Sequence, residues 1–501
     1  MTPLMQQYWE IKSLHQDKIL MFRMGDFYEM FYDDATKAAP ILGIALTQRN
    51  KKSEDETPMC GMPHHSVAGP INKLLKAGLR VAICDQIEDP KTAKGIVKRA
   101  VTRILTPGMV YDPDTLEQNQ SNYIASYADA NLSCVDTSTG ENFYFTDVSL
   151  RDLQRLLSLL PIVELVLSTE QDEQLRLGIG DDLKKDSKKI LPTYLLISHH
   201  DVVLDMKPLF MQHNISLSLE HEASHRLFSY VYSLGGIESL KTLKPMEQRA
   251  LKQKMDLSST VLRHLEIFST YRGEGEGSLF FATDRTKTSA GARLLRQWLS
   301  FPLIDKKEIL LRQQDVQKWY QNPSAVKKLR EILGKMGDIE RRLSKISQPQ
   351  CNARDLLALE QSIQAGTAAL AAAQIAPVVQ IENKSETETM TLDSFRHITD
   401  LATEISQTIV DEPPLQIKQG HLIRKGYSPE LDELITLSSD SQSLLQKMEE
   451  EEKNKTGISS LKIRYNNVFG YYIEVTHTHK DKVPSYHMRK QTLTTAERYC
   501  T

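Results

Sequence analysis

The sequence has little that marks a catalyst, a membrane protein or a disulfide scaffold. Its five cysteines, Cys60, Cys84, Cys134, Cys351 and Cys500, are scattered, and no CxxC pair exists. That spacing argues against a zinc ribbon or a disulfide framework and suits a reducing compartment. No apolar run reaches the roughly 20 residues that span a bilayer. The N-terminal MTPLMQQY lacks the layout of a signal peptide, so a cytoplasmic protein is expected. The only Gly-Lys pair, Gly334-Lys335, is followed by Met336 and has Leu329 where a P-loop carries its first glycine. A phosphate-cradling GxxxxGK[ST] loop is therefore absent from these residues. Charge of one sign is also lacking: the net value is −3, which does not advertise a nucleic-acid binder. No internal repeat is found.

What is present is ordinary globular material. The chain has 501 residues, 40% hydrophobic and 25% charged, enough for several cores and about three to four domains. Averages hide local patches. From residue 460 to 501, seven Lys/Arg (Lys462, Arg464, Lys480, Lys482, Arg489, Lys490, Arg498) stand against three acids (Glu474, Asp481, Glu497), which leaves +4. A solvated face is the plain reading of such a run.

The pattern along the chain predicts a multidomain protein: two α/β domains, then a mainly helical region, then a β-containing end. Residues 18–24 are apolar and β-prone, and Gly25-Asp26 breaks them. Residues 31–42 read as a helix with Asp33 and Asp34 in its first turn, where carboxylates suit the dipole. Residues 79–84 and 99–105 read as strands, ended by Thr106-Pro107-Gly108. A second α/β unit follows, with strands at 123–126, 132–135 and 142–145, a hairpin turn at 137–140 and a helix at 150–160. Residues 181–189 are a predicted surface loop. From Lys241 the apolar spacing becomes helical through Leu257, Leu262, Leu265 and Ile267, then Leu294, Leu295 and Leu299, then Leu356, Leu357 and Leu359. The alanine-rich 368–376 fits a helix end before Pro377, and 384–390 a polar connection. Residues 431–452 are again helical, and 461–475 turn to β.

Two catalytic patterns need weighing. His221-Glu222-Ala223-Ser224-His225 matches HExxH, in which two histidines on one helix face hold zinc and the glutamate activates water. The longer zincin continuation is missing, and an amphipathic helix over 220–233, with Leu227, Val231 and Leu234 inward, explains the same residues. A zinc-dependent hydrolase is thus the alternative function. The second unit is compatible with an RNase H-like fold, and Asp136 is a plausible metal carboxylate. A nuclease needs several converging carboxylates, and no partners stand out there.

The third candidate is the segment 24–31, MGDFYEMF. Phe27 beside a strand is most simply a core residue. Yet Phe27, Tyr28, Met30, Phe31 and Tyr32 are too many large side chains for one narrow face, so some belong outside. An exposed phenylalanine can wedge between base steps. A carboxylate such as Glu29 is repelled by phosphates and makes sense against DNA only at a base edge.

These residues resemble a known family. MGDFYEMF at 24–31 is similar to the signature of the MutS DNA mismatch-repair proteins. The resemblance continues in 58–63 (PMCGMP), 81–87 (VAICDQI), 265–268 (LEIF), 277–279 (GSL), 293–299 (RLLRQWL), 465–475 (YNNVFGYYIEV) and 489–493 (RKQTL). His264 departs from the family, which usually has asparagine there. The resemblance implies a mismatch-recognition domain at 1–112 and an RNase H-like, non-catalytic connector at 113–244. It implies a helical core and lever at 245–420, and a lever helix with part of the clamp at 421–501. It implies that Phe27 stacks on a mispaired base in double-stranded DNA and that Glu29 hydrogen-bonds it, taking up a proton as burial disfavours the anion. Arg49 and Met62 match positions along the duplex. The +4 tail, through Arg464, Asn466, Lys482, Arg489 and Lys490, is expected to meet the DNA backbone. No catalytic or metal residue is expected. ATP and Mg²⁺, the main homodimer contacts and the docking of a MutL-type partner are implied for the family's whole length. Its P-loop ATPase domain follows the clamp, and the chain as given is expected to be a fragment or a truncation. By itself it is expected to hydrolyse no ATP. Phosphate release with DNA and Mg²⁺ present should stay at background, and turnover abolished by chelation would refute this.

Overall fold

The computed structural model describes residues 2–49, 57–88, 95–182, 195–251, 254–348, 351–373, 380–383, 386–389, 392–415, 417–466, 470–492 and 496–500. The chain divides into two compact units, Met1–Ser406 with Asp411–Gly420, and Gln407–Val410 with His421–Thr501. None of the described helices is long and apolar enough to cross a membrane.

The first sheet of the larger unit contains β1 (Ile19–Met24), β2 (Phe27–Phe31), β3 (Thr47–Arg49), β4 (Thr57–Pro63), β5 (Val81–Gln86) and β6 (Arg99–Leu105), in the order β3-β4-β2-β1-β5-β6. β1 and β5 are parallel, and the other pairs are antiparallel. The apolar runs of β1 and β5 have a direct cause, since both sheet faces are covered. On one face Met21, Tyr28, Met30, Cys60, Met62 and Ile83 pack with α2 (Tyr32–Leu42) and α3 (Ala68–Lys76). On the other, Leu20, Phe22, Phe31, Ala82 and Cys84 pack with Tyr8 of α1 (Pro3–Ser13). The predicted helix at 31–42 is α2, but Asp34 does more than favour its dipole. Its buried carboxylate accepts from the Leu20 amide at 3.0 Å and from Lys12 Nζ at 2.9 Å, tying α1, β1 and α2 together.

The second sheet contains β7 (Tyr123–Ala128), β8 (Asn131–Asp136), β9 (Glu141–Phe145), β10 (Ile162–Leu167), β11 (Leu196–His199) and β12 (Glu247–Gln248), in the order β11-β10-β7-β8-β9-β12. Helix α4 (Leu150–Leu159) opens on a capping box between Ser149 and Asp152 and returns the chain to β10, parallel to β7. Helices α5 (Thr169–Asp182) and α6 (Lys207–Gln212) follow, and α7 (Glu222–Gly235) buries Leu227, Phe228 and Val231 against the sheet. The predicted loop at 181–189 lies, from residue 183 on, outside the described residues.

The expectation of continuous helix from Lys241 is corrected. Residues 242–288 hold β12 and two short helices, Ser259–His264 and Leu279–Thr283. Gly273, Gly275 and Gly277 break the helical spacing there, since glycine is a poor helix former. Long helices begin at Ser289–Ser300 and continue through Lys306–Tyr320, Pro323–Leu333, Ile339–Ile346, Ala353–Ala373 and Leu392–Thr408. The predicted helix end at 374–376 and Pro377 lie outside the described residues. Part of the predicted polar connection is a strand: β13 (Gln380–Asn383) pairs with β14 (Glu386–Thr389) as a hairpin.

A buried ionic junction holds the helices to the segment between the two sheets. Arg293 grips Asp338 through two nitrogens, at 2.6 and 3.0 Å, and Glu340 at 2.6 Å. Arg341, 1% exposed, donates to the carbonyls of Glu117 (2.9 Å) and Gln120 (2.6 Å).

The smaller unit joins a 28-residue helix, Pro429–Thr456, to a four-stranded antiparallel sheet of β15 (Lys462–Asn466), β16 (Gly470–Thr476), β17 (Met488–Thr492) and β18 (Ala496–Cys500). Its order is β15-β16-β18-β17, over a core of Ile458, Leu461, Ile473, Val475 and Tyr499.

The junction predicts an acid-sensitive fold. Burial pushes the Asp338 carboxyl up, but the hydrogen bond and charge of Arg293 outweigh it and hold the group below its ordinary range. A carboxyl depressed in this way stabilises the fold above its unfolded pKa of roughly 3.9. That contribution disappears as pH falls through the lower, folded value. Urea unfolding at stepped pH should therefore show stability falling below about pH 4. In Asp338→Asn that limb should be shallower, and the stability near neutrality lower. An identical acid limb in the variant would refute the assignment.

Candidate nucleic-acid interface

The β1–β2 hairpin carries the first candidate site. Gly25 makes its tight turn at φ 56°, a conformation that a side chain would strain. The register then pairs Met24 with Phe27 and Phe22 with Glu29. On the other side of β2, Phe27 faces Pro63, Tyr28 faces Met62, Glu29 faces Gly61 and Met30 faces Cys60. Period two sends Tyr28 and Met30 into one core and Phe31 into the other. Phe27 has run past both cores: it is 46% exposed, against 5% for Tyr28, 0% for Met30 and 1% for Phe31. The crowding in MGDFYEMF is resolved by pushing this one ring out.

The neighbours hold the hairpin tip still. Tyr28 donates its hydroxyl to Asp85 Oδ1 at 2.5 Å, and burial with Asp85 pushes the phenol up to about 12. Arg23 Nε donates to the Gly25 carbonyl at 2.5 Å. The Asp26 carbonyl accepts the His64 amide at 2.9 Å and approaches His64 Nδ1 at 3.1 Å, which pins the end of β4 to the turn. Glu29, half-buried, lies on the same sheet face as Phe27, two residues along β2. An exposed ring and a carboxylate thus sit side by side on a braced strand end.

Met62 is a correction. It is 5% exposed, packed in the core opposite Tyr28, because its place on β4 points it inward. It cannot lie along a duplex. Arg49 closes β3, opposite Thr57; its side chain lies outside the described residues.

The second candidate surface is the small sheet. Arg464 on β15 has its Nε 3.9 Å from Glu474. Lys482 is exposed at the end of the short helix His477–Lys482. The β17–β18 ladder pairs Arg489 with Tyr499 and Gln491 with Arg498, so Lys490 is the extra residue of a bulge, a device that re-aims side chains. Of Asn466 only the backbone, in β15, is described, and residues 467–469 and 493–495 lie outside the described residues. Two of the three acids are engaged within the sheet. Glu474 also meets Arg498 (3.6 Å), and Glu497 meets Lys480 (3.0 Å) and Arg489 (3.6 Å). Hydrogen bonds from Tyr499 and Lys480 hold Glu497 below the usual carboxylate range, so it stays charged. Sequence reasoning missed the exposed rings of Tyr465 (61%) and Tyr471 (56%), packed edge to face at 5.1 Å beside these cations. Their alternation with Ile463 and Ile473 was the available signal.

The catalytic patterns do not assemble. His221 is extended and precedes α7 as its N-cap, so the HExxH histidines do not share a helix face. Glu222 is paired with Arg226, and His225 Nε2 lies 2.9 Å from the Leu219 carbonyl. The apolar face of α7, with Leu227 and Val231 buried, is the amphipathic helix that explains this segment. Asp136 is consumed in the β8–β9 turn, where it accepts from the Asn122 and Ser138 amides, each at 2.9 Å, and from the Ser138 hydroxyl at 2.6 Å. Among the described residues no group of three or more His, Cys, Asp and Glu could hold a metal ion.

The family model described as MutS domain I matches residues 2–114, and that described as MutS domain III matches residues 260–482. Curated relatives called DNA mismatch repair protein MutS align with the whole chain. Those of Desulfitobacterium hafniense, Halothermothrix orenii and Bacillus velezensis are 39%, 38% and 35% identical, and in each the alignment takes in 56% of the relative. The chain belongs to the MutS family. It spans little more than half the length of the curated relatives it matches.

Proposed function

We propose that this chain binds double-stranded DNA at mispaired or looped-out bases, as part of mismatch repair. Phe27 acts as the wedge and Glu29 as the carboxylate that meets the displaced base. One observation carries the reading: the ring of Phe27 stands in solvent at the end of a strand whose other large side chains are buried. Burying a phenylalanine is worth about 1.5–3 kcal/mol, so a ring left out at a braced tip is a feature that binding can exploit. A wedge separates base steps at the cost of their stacking. A mismatch gives way more readily than a paired step, so deformability supplies the preference.

In this reading the first sheet and its helices form the mismatch-recognition domain, and the second sheet, RNase H-like, forms the connector. The long helices form core and lever, and β15–β18 form the clamp. Arg464, Asn466, Lys482, Arg489 and Lys490, with Arg49 on the first sheet, meet phosphates and carry no sequence information. The chain's own residues need neither metal nor nucleotide for these contacts. ATP with Mg²⁺, self-association and a MutL-type partner belong, on the same proposal, to the whole length of such proteins.

The test is equilibrium binding of this chain to homoduplex, to a G·T duplex and to a duplex with one looped-out base. Phe27→Ala is expected to lower the preference for the defective duplexes by about tenfold or more, the scale of lost wedging contacts, with homoduplex binding kept. An unchanged preference would sink the proposal. A second expectation concerns the clamp. Lys490→Ala should weaken both duplex types alike and reduce the slope of log affinity against log salt by about one. A loss confined to mismatched DNA would contradict a backbone role.

A further inference from the structure

Gly61 is a glycine that its own backbone does not require. Gly25, Gly43 and Gly78 around the first sheet have φ of 56°, 72° and 76°, where a side chain is strained. Gly61 has no such angle. It lies within β4, and the β2–β4 ladder runs from Phe27–Pro63 to Phe31–Met59 without a shift of register. Glycine is among the poorest strand formers. In a strand interior it marks a bulge or a place where something approaches the backbone closely, and no bulge is present here.

The space around it shows what approaches. Gly61 is directly opposite Glu29. A Cβ built on it would stand 3.3 Å from Glu29 Cγ and 3.1 Å from the Tyr28 carbonyl oxygen, tighter than ordinary contact. Its neighbours on the same face are Met59 and Pro63, and across the ladder from these stand Phe31 and Phe27. β3 pairs with β4 only from Thr57 to Met59, so at Gly61 the outer edge of β4 is free of a neighbouring strand among the described residues. Gly61 itself is exposed. The bare position is therefore an open notch beside the Glu29 stem, two ladder pairs along from the Phe27 ring.

We infer that Gly61 is a specificity-determining position for mismatch recognition. Having no side chain, it lets the Glu29 stem lie against the β4 backbone and leaves a slot for the base that Phe27 displaces. A hydrogen bond between that base and the carboxylate needs heavy atoms about 2.7–3.2 Å apart, and a methyl group at 61 both fills the slot and pushes the carboxylate off its line. This inference rests on the reading of Phe27 and Glu29 given above.

The experiment compares the 501-residue chain with Gly61→Ala, Glu29→Ala and the double variant on homoduplex, G·T and looped-base duplexes, with urea midpoints for each. Gly61→Ala is expected to cut the mismatch preference by about tenfold, the scale of one good base contact, while homoduplex affinity and the urea midpoint stay near wild type. On the Glu29→Ala background the same substitution should change the preference by less than about twofold, because coupled residues do not add. Wild-type preference in Gly61→Ala, equal losses on both duplex types, a fully additive loss in the double variant, or a fall in midpoint that accounts for the lost binding would each overturn the inference. Should Phe27→Ala and Glu29→Ala themselves keep the wild-type preference, the mismatch reading fails. Should they lose it while Gly61→Ala does not, only the role of Gly61 fails.

Discussion

The burial of the first sheet on both faces is the constraint on which the candidate site depends. With helices α2 and α3 on one side and α1 on the other, the large apolar residues of β1 and β2 have a core to enter, provided they lie within the reach of those helices. Strand alternation then leaves no freedom: Tyr28 and Met30 go one way, Phe31 the other. Only the end of the strand escapes. Phe27 is the first residue after the turn, where neither helix layer reaches, and the interior that buries its neighbours is what displays it. Braces from Arg23 and His64 to the turn carbonyls, and from Tyr28 to Asp85, make the exposed ring part of a rigid element rather than a loose loop. Rigid presentation keeps the ordering cost of binding low.

The same economy governs the ionic groups. Buried ion pairs are expensive to desolvate and repay it only with full hydrogen bonding. Arg293 meets this condition with two carboxylates; Arg341 donates from its two terminal nitrogens to backbone carbonyls, with its Nε 3.8 Å from Asp338. The junction therefore specifies how the helical region is held to the segment between the two sheets. In the small sheet the logic is reversed. Glu474 and Glu497 are engaged within it by Arg464, Arg498, Lys480 and Arg489, while Lys482 and the bulged Lys490 stand in solvent. A tail with a modest formal surplus thus presents cations outward, where polyanion binding requires them.

Much of this was legible in the residues. The apolar run at 18–24, the break at Gly25-Asp26, the alternating strands of the second sheet and the long helix before the small sheet all follow from periodicity. The composition of 24–31 was enough to show that one large side chain had to lie outside, though not which one. Legibility failed where the signal is short or shared. The leucine spacing at 257–267 imitates a continuing helix, but the helix stops at His264, Glu266 turns to φ 49°, and the glycines at 273–277 keep it from resuming. The hairpin Gln380–Thr389 is polar on both strands and gives no alternation to read. The HExxH match is a local string, and only the extended backbone of His221 shows that its histidines diverge. Met62 failed for another reason: similarity to a family placed it along a duplex, whereas the register that sets it opposite Tyr28 turns its side chain to the core.

By itself, then, the sequence determined most of the element types outside 242–288 and 380–389, the family and the residues that carry the candidate chemistry, because periodicity, turn residues and the MGDFYEMF block are local properties of the chain. Tertiary structure alone decided which of those residues face outward and which residues become neighbours. The exposure of Phe27 depends on where two helix layers stop. The partnership of Glu29 with Gly61 depends on a strand register joining residues 32 positions apart. Such register is set by side chains packing across the whole sheet, which no window of sequence contains.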